Sequence, residues 1–249
     1  MTKNKISAPI SSSNRVIAPE NIFVEEGAII ECAILNATEG PIFIGKNALV
    51  MEGAMIRGAF ALCDHSVVKM GAKVYGPTTV GPHSKIGGEV VNSVIMGYSN
   101  KGHEGYMGNS VLGEWCNLGA DTNTSNLRNN YSNVKIWDYP SERFVPTGIK
   151  FCGLIMADHS KAGINTMFNT GTVVGVSTNV FGAGYPRNFI PSFSWGGSKG
   201  LRTYKTDKAF DTAEKVMARR KIEFDEIERK ILKKVFELTS GNRSWESSK

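Results

Sequence analysis

Between Lys101 and Asn126 the chain reads KGHEGYMGNSVLGEWCNLGADTNTSN, and here residue types and spacing suit chemistry. His103 is the centre of it. An imidazole with an unperturbed pKa of ~6.5 can take a proton from an attacking nucleophile near neutral pH. No Ser or Cys stands beside a base that would activate it, so the pattern points to direct transfer between two bound substrates. Backbone N–H groups in this stretch can stabilise a developing oxyanion, and holding both reactants together supplies most of the remaining rate. The other histidines, His65, His83 and His159, share one repeat position and read as solvated corner residues. There is no HxxxxH pair, so no metal site is expected.

What must position His103 is a repeat of six. Ile44, Val50, Ile56, Leu62, Val68, Val74, Val80 and Ile86 recur at that interval, and four residues after each comes Ala48, Ala54, Phe60, Ser66, Ala72, Thr78, Ser84 and Val90. About one residue in five is Ile, Leu or Val, so eight matches in one frame arise by chance about a few times in a million. Neither a helix nor an ordinary strand has this period. It predicts an all-β solenoid, a hexapeptide-repeat parallel β-helix whose short strands each send one aliphatic side chain inward, with a small residue at each corner.

The period begins at Ile17, Phe23, Ile29 and Leu35, with a corner loop at Gly40-Pro41. After Ile86 it slips by two at Gly87-Gly88 and resumes at Val94, Asn100, Tyr106, Leu112 and Leu118. Two of those five are not aliphatic, and a repeat that relaxes its core rule is where a site is expected. Three hexads make one turn, so residues eighteen apart stack ~4.8 Å from each other. His103 and Asp121 are eighteen apart. Asp121 then either accepts a hydrogen bond from His103 and fixes its tautomer, or faces water.

From Leu127 to Lys150 the period fails in a segment holding Tyr131, Trp137, Tyr139 and Phe144, a loop of the length and composition that carries function. It returns at Met156, Ala162, Phe168, Val174 and Val180. The expected organisation is a flexible lead over 1–14, a β-helix over 15–185, and an extended arm with a C-terminal α-helix over 186–249. That helix is predicted from Asp207 to about Leu238 with Thr206 as N-cap. Phe210, Met217, Phe224, Ile231 and Leu238 recur along it every seven residues, for packing on a prism.

Composition narrows the function classes. The 249 residues carry a net charge of +6, but no basic cluster interleaves with aromatics, which argues against nucleic acid. No apolar run reaches the ~18 residues of a membrane span, and the N-terminus lacks a signal-peptide core. The four cysteines show no CxxC spacing and read as free thiols in a reducing compartment. A cytoplasmic location is expected.

The segment around His103 resembles the acetyltransferase half of the bifunctional enzyme that makes UDP-N-acetylglucosamine. His103, Tyr106, Asn117-Leu118-Gly119-Ala120 and Ser125-Asn126 stand at that family's spacings, as does Glu89 fourteen residues before His103. The resemblance implies a left-handed β-helix, a homotrimer with sites between prisms, and N-acyl transfer from acetyl-CoA to an amino sugar such as glucosamine-1-phosphate. It implies His103 as base, Tyr106, Asn117, Asn126 and Glu89 as substrate-binding residues, and Ala120 at the acyl-CoA. The family's phosphate-holding Arg falls on Lys73, which keeps the charge but loses the bidentate fork. Three positions depart from the pattern: Leu127 replaces a Tyr, and Ser132 and Val91 replace lysines. They imply a weaker phosphate grip, with Lys135 in the broken loop as a substitute. A branch in which a degenerate nucleotidyltransferase domain precedes the β-helix is similar too, so the expectation is either a fragment whose partner is such a domain outside these residues, or a stand-alone acyltransferase. The alternative reading is a non-catalytic trimerisation or sugar-nucleotide-binding module. Exposed Tyr98, Tyr106 and Trp115, and the loop around Trp137, are the expected contacts with a neighbouring prism.

Overall fold

The computed structural model describes residues 7–246. It is a three-faced parallel β-solenoid followed by two helices. The first face stacks strands from Arg15–Ile17 to Tyr106–Gly108, the second from Ile22–Val24 to Phe189–Ile190, and the third from Ile29–Ile30 to Ser194–Gly197. All eight hexad aliphatics from Ile44 to Ile86 are buried in one continuous core, as are the residues four places on. Hydroxyls at that small position have a second task. Ser66, Ser84, Ser99 and Ser160 each donate a 2.6 Å hydrogen bond to a corner carbonyl (of Gly81, Met96, Gly113 and Gly175), so polar side chains are satisfied inside the prism.

The phase is off by one in two places. In the first coil Val24 and Ile30 point inward in place of Phe23 and Ile29. After the Gly87-Gly88 corner the inward residues are Ile95, Lys101 and Met107, not Val94, Asn100 and Tyr106. The physical reason is corner length: register is fixed by strand pairing to the previous coil, and corners of unequal length shift the sequence count without shifting the stack.

Three further segments differ from expectation. Residues 1–6 of the expected lead lie outside the described residues, whereas residues 7–14 lie along the first coil. The Ala8 amide donates to the Val24 carbonyl (2.8 Å), and Asn14 bonds Ile30 O and Ala33 N. The segment read as an arm adds strands Phe189–Ile190 and Ser194–Gly197 to the solenoid, and Gly200–Thr203 pairs back on the latter antiparallel. The single expected helix is two, α1 (Thr206–Ala218) and α2 (Glu226–Leu238). Lys205, not Thr206, is the N-cap of α1. The chain turns after α1, and the Asp225 carboxylate accepts from the Ile227 and Glu228 amides to start α2. Met217 and Phe224 of the heptad series are buried, but Ile231 and Leu238 are exposed, so the seven-residue spacing is not one packing seam.

Candidate active site on one edge and its adjoining face

Lys73, Glu89 and Tyr106 form one row across adjacent strands of the first face. Alternation sends their neighbours Val74, Val90 and Met107 into the core and these three side chains outward. Tyr75, two residues after Lys73, therefore stands on the same surface, and its hydroxyl donates to the Glu89 carboxylate at 2.5 Å. That bond, with burial behind it, pushes the Tyr75 phenol up to about 12. Burial raises the Tyr106 phenol as well.

Asn126 belongs to the same cluster. Its amide donates to the Tyr106 hydroxyl (2.9 Å) and to Asn109 Oδ1 (2.7 Å), while Asn123 Oδ1 accepts from the Tyr106 amide (2.8 Å). The Tyr106 ring lies over Gly108, where any Cβ would stand 2.3 Å from the Tyr106 oxygen and 2.7 Å from the Asn126 amide, so glycine is required for this contact.

His103 sits on the corner between the third and first faces, exposed, three residues before Tyr106. Asp121 lies on the same edge but is not stacked on His103. Its amide donates to Glu104 O (3.0 Å), which places it beside Gly105, sixteen residues back. Among the described residues neither the His103 nor the Asp121 side chain makes a hydrogen bond or ion pair. The eighteen-residue register behind the pairing is thus not the one adopted, because the coils here are shorter than three full hexads. Asp121 instead lines an open groove of about 710 Å³ with Gly105, Asn123, Asn165 and Met167.

The structure separates the remaining expected residues from the row. Asn117 is on the third face between Asn100 and Lys161. Ala120 is in the corner before Asp121, its carbonyl accepting from the Asn165 amide (2.8 Å). Lys135 starts a hairpin (Lys135–Asp138 with Arg143–Pro146) and lines a second cleft of about 780 Å³ with Arg128, Asn169 and Asn188; Leu127 lines it too. Trp137 on that hairpin is engaged by its own chain, stacked on Phe189 with ring centroids 4.1 Å apart.

Two residues escaped the sequence reading. Tyr75 was legible from strand alternation, two places from Lys73. Lys101 was hidden by the off-by-one phase: it occupies the core position next to Ile86, 1% exposed. Burial pushes its ammonium down to about 8, with the Glu104 and Asp121 carboxylates acting against that fall and Lys73 adding to it.

No family model matches the chain. It is 39% identical over 87 residues to the bifunctional protein GlmU of Methanocaldococcus jannaschii, covering 35% of this chain and 21% of that protein. It is 32% identical over 184 residues to the GlmU of Methanococcus maripaludis, covering 72% and 39% respectively. The putative uncharacterized acetyltransferase YaiX of Escherichia coli is 25% identical over 154 residues, 61% of this chain and 66% of that one. The chain is a hexapeptide-repeat solenoid related in sequence to these proteins. The match spans about a fifth of the length of the first GlmU relative.

Proposed function

We propose that the chain is an acyl-CoA-dependent N-acyltransferase that acetylates a phosphorylated amino sugar by direct transfer, as a homotrimer. The observation that carries this reading is the row Lys73–Glu89–Tyr106 with Asn126, next to a His103 that is exposed and, among the described residues, unpartnered. A cation, a carboxylate, a hydroxyl and an amide on one face complement a phosphate, an amine and sugar hydroxyls. His103 takes the proton as the neutral amine nitrogen attacks the thioester carbonyl. The new C–N bond forms, the C–S bond breaks, and coenzyme A leaves as the thiol once that proton reaches its sulfur. The kinship with proteins named acetyltransferase or GlmU supports the donor and the sugar class. Asn117 and Ala120 lie off the row, as expected if they face a substrate bound against a neighbouring prism.

The test is thiol release from acetyl-CoA with a panel of amino sugars and their 1-phosphates. Turnover restricted to amino sugars supports the reading. Binding of a sugar nucleotide without turnover favours the non-catalytic module instead. Light scattering at micromolar concentration is expected to give three times the 27.1 kDa chain mass; a monomer mass removes the inter-prism site.

A further inference from the structure

We infer that Lys101 is a positioning residue: its buried ammonium clamps the Gly102–Gly105 corner and so fixes the backbone that carries His103. The clamp stands on geometry alone; its kinetic consequence rests on His103 being the base.

Lys101 continues a core row of Val50, Val68 and Ile86, where any aliphatic residue would pack. Its three N–H donors meet three carbonyls: Gly87 O at 3.1 Å, His103 O at 2.5 Å and Glu104 O at 3.1 Å. Two of these belong to the corner it precedes, and the third belongs to the corner of the coil before.

Three other corners on this edge close themselves with a backbone bond, whereas at Gly163–Thr166 a side-chain hydroxyl, that of Thr166, donates to Gly163 O (2.8 Å). The amides of Ala54, Ala72 and Thr122 donate to the carbonyls of Met51, Lys69 and Gly119 at 3.2–3.3 Å, the ordinary bond of a tight turn. Among the described residues no such backbone bond closes Gly102–Gly105. The Lys101 ammonium takes its place from inside the prism. The Glu104 and Asp121 carboxylates on the same edge favour its charge without pairing to it, and Lys73 opposes it. A lysine in an aliphatic row is a poor choice for stability, since burying the charge is costly even when hydrogen-bonded. It is a sensible choice for holding a corner that cannot hold itself, and only this corner bears a histidine on this edge.

The experiment compares wild type with Lys101→Met, which keeps bulk and removes all donors, and Lys101→Gln, which keeps two. Hydrogen–deuterium exchange of the peptide covering residues 100–107 reads the clamp, and steady-state kinetics with acetyl-CoA and the best amino sugar read its consequence. In Lys101→Met the peptide is expected to exchange faster while peptides over residues 55–80 do not change. kcat is expected to fall about 10²-fold with both KM values held within about twofold. Lys101→Gln should lie between; if the Met variant does not fold, the Gln variant carries the test. Unchanged exchange at 100–107 in the folded variants overturns the clamp. Faster exchange with wild-type kcat, where His103→Ala is inactive, overturns the positioning role. If His103→Ala itself turns over, the base assignment fails and exchange alone decides the clamp.

Discussion

The edge between the second and third faces and the edge between the third and first both carry histidines, and the protein uses them in opposite ways. On the former, His65, His83, Tyr98, Trp115 and His159 all adopt positive φ and stack ring on ring, with successive centroids 4.8, 4.9, 4.2 and 6.2 Å apart. Helices α1 and α2 close over the lower part of this ladder, packing Ala209, Ala213, Met217, Phe224 and Leu232 around Trp115 and Phe193, and Arg220 donates to the His83 carbonyl at 3.2 Å. On the latter, glycines hold most of the equivalent corners and His103 stands exposed, without a partner among the described residues. A left-handed corner costs an L-residue roughly 1–2 kcal/mol. On the ladder edge stacking and burial offset that strain; on the His103 edge glycine avoids it and leaves open surface. The lesson is that corner position alone says little about a histidine. His159, expected to be solvated, is 9% exposed, its Nδ1 is buried without a hydrogen-bond partner among the described residues, and burial pushes its pKa down to about 4.

Breaking the ladder edge should have the largest effect on stability. Trp115→Ala removes a buried ring between Tyr98 and His159, and is expected to cost about 3–5 kcal/mol, read by chemical denaturation. Breaking the other edge should spare stability and destroy activity. His103→Ala is expected to lower turnover at least ~10²-fold with an unchanged Tm. Wild-type turnover in this variant would return the edge to a purely structural role.

Acid sharpens the contrast. The folded pKa of His159 is about 4, below the ~6.5 of an unfolded histidine, so the unfolded state binds more protons between those values. The stability this neutral histidine contributes is present above pH 6.5 and is lost progressively as pH falls from 6.5 towards 4. The expected size is on the order of 2 kcal/mol, measured as the difference in denaturation free energy between pH 7 and pH 4.5. His159→Phe, which keeps the ring, should flatten that slope; an equally steep slope in the variant would assign it to other groups. The smallest effect is expected at Asp121. With no bond to His103, Asp121→Asn should leave kcat within about threefold, whereas a loss near that of His103→Ala would show that the two act as a pair.

The regular part of the fold was legible because a β-solenoid writes its geometry directly into sequence. Each strand repeats the same inward position, so Ile44 to Ile86 gave both the period and the core. The same counting misread Val94, Asn100 and Tyr106, because a corner can lose a residue while strand pairing holds the stack in place. Lys73, Glu89 and Tyr106 were each reached through family spacing; that they stand side by side in one row is visible only in the strand register. The partnership of His103 with Asp121 was a count of eighteen, and shortened coils put Gly105 where His103 was expected.

What the sequence determined by itself was the periodic core, the strand order it implies and the segment in which chemistry-bearing residues gather, since these follow from local side-chain alternation and corner size. What only the tertiary structure decided were the contacts between coils and across edges: Lys101 facing inward to its three carbonyls, Tyr75 on Glu89, and the aromatic ladder under α1 and α2. Those depend on how many residues each corner spends before the next strand pairs, a quantity set by hydrogen bonding to the preceding coil and not by the residues of the corner alone.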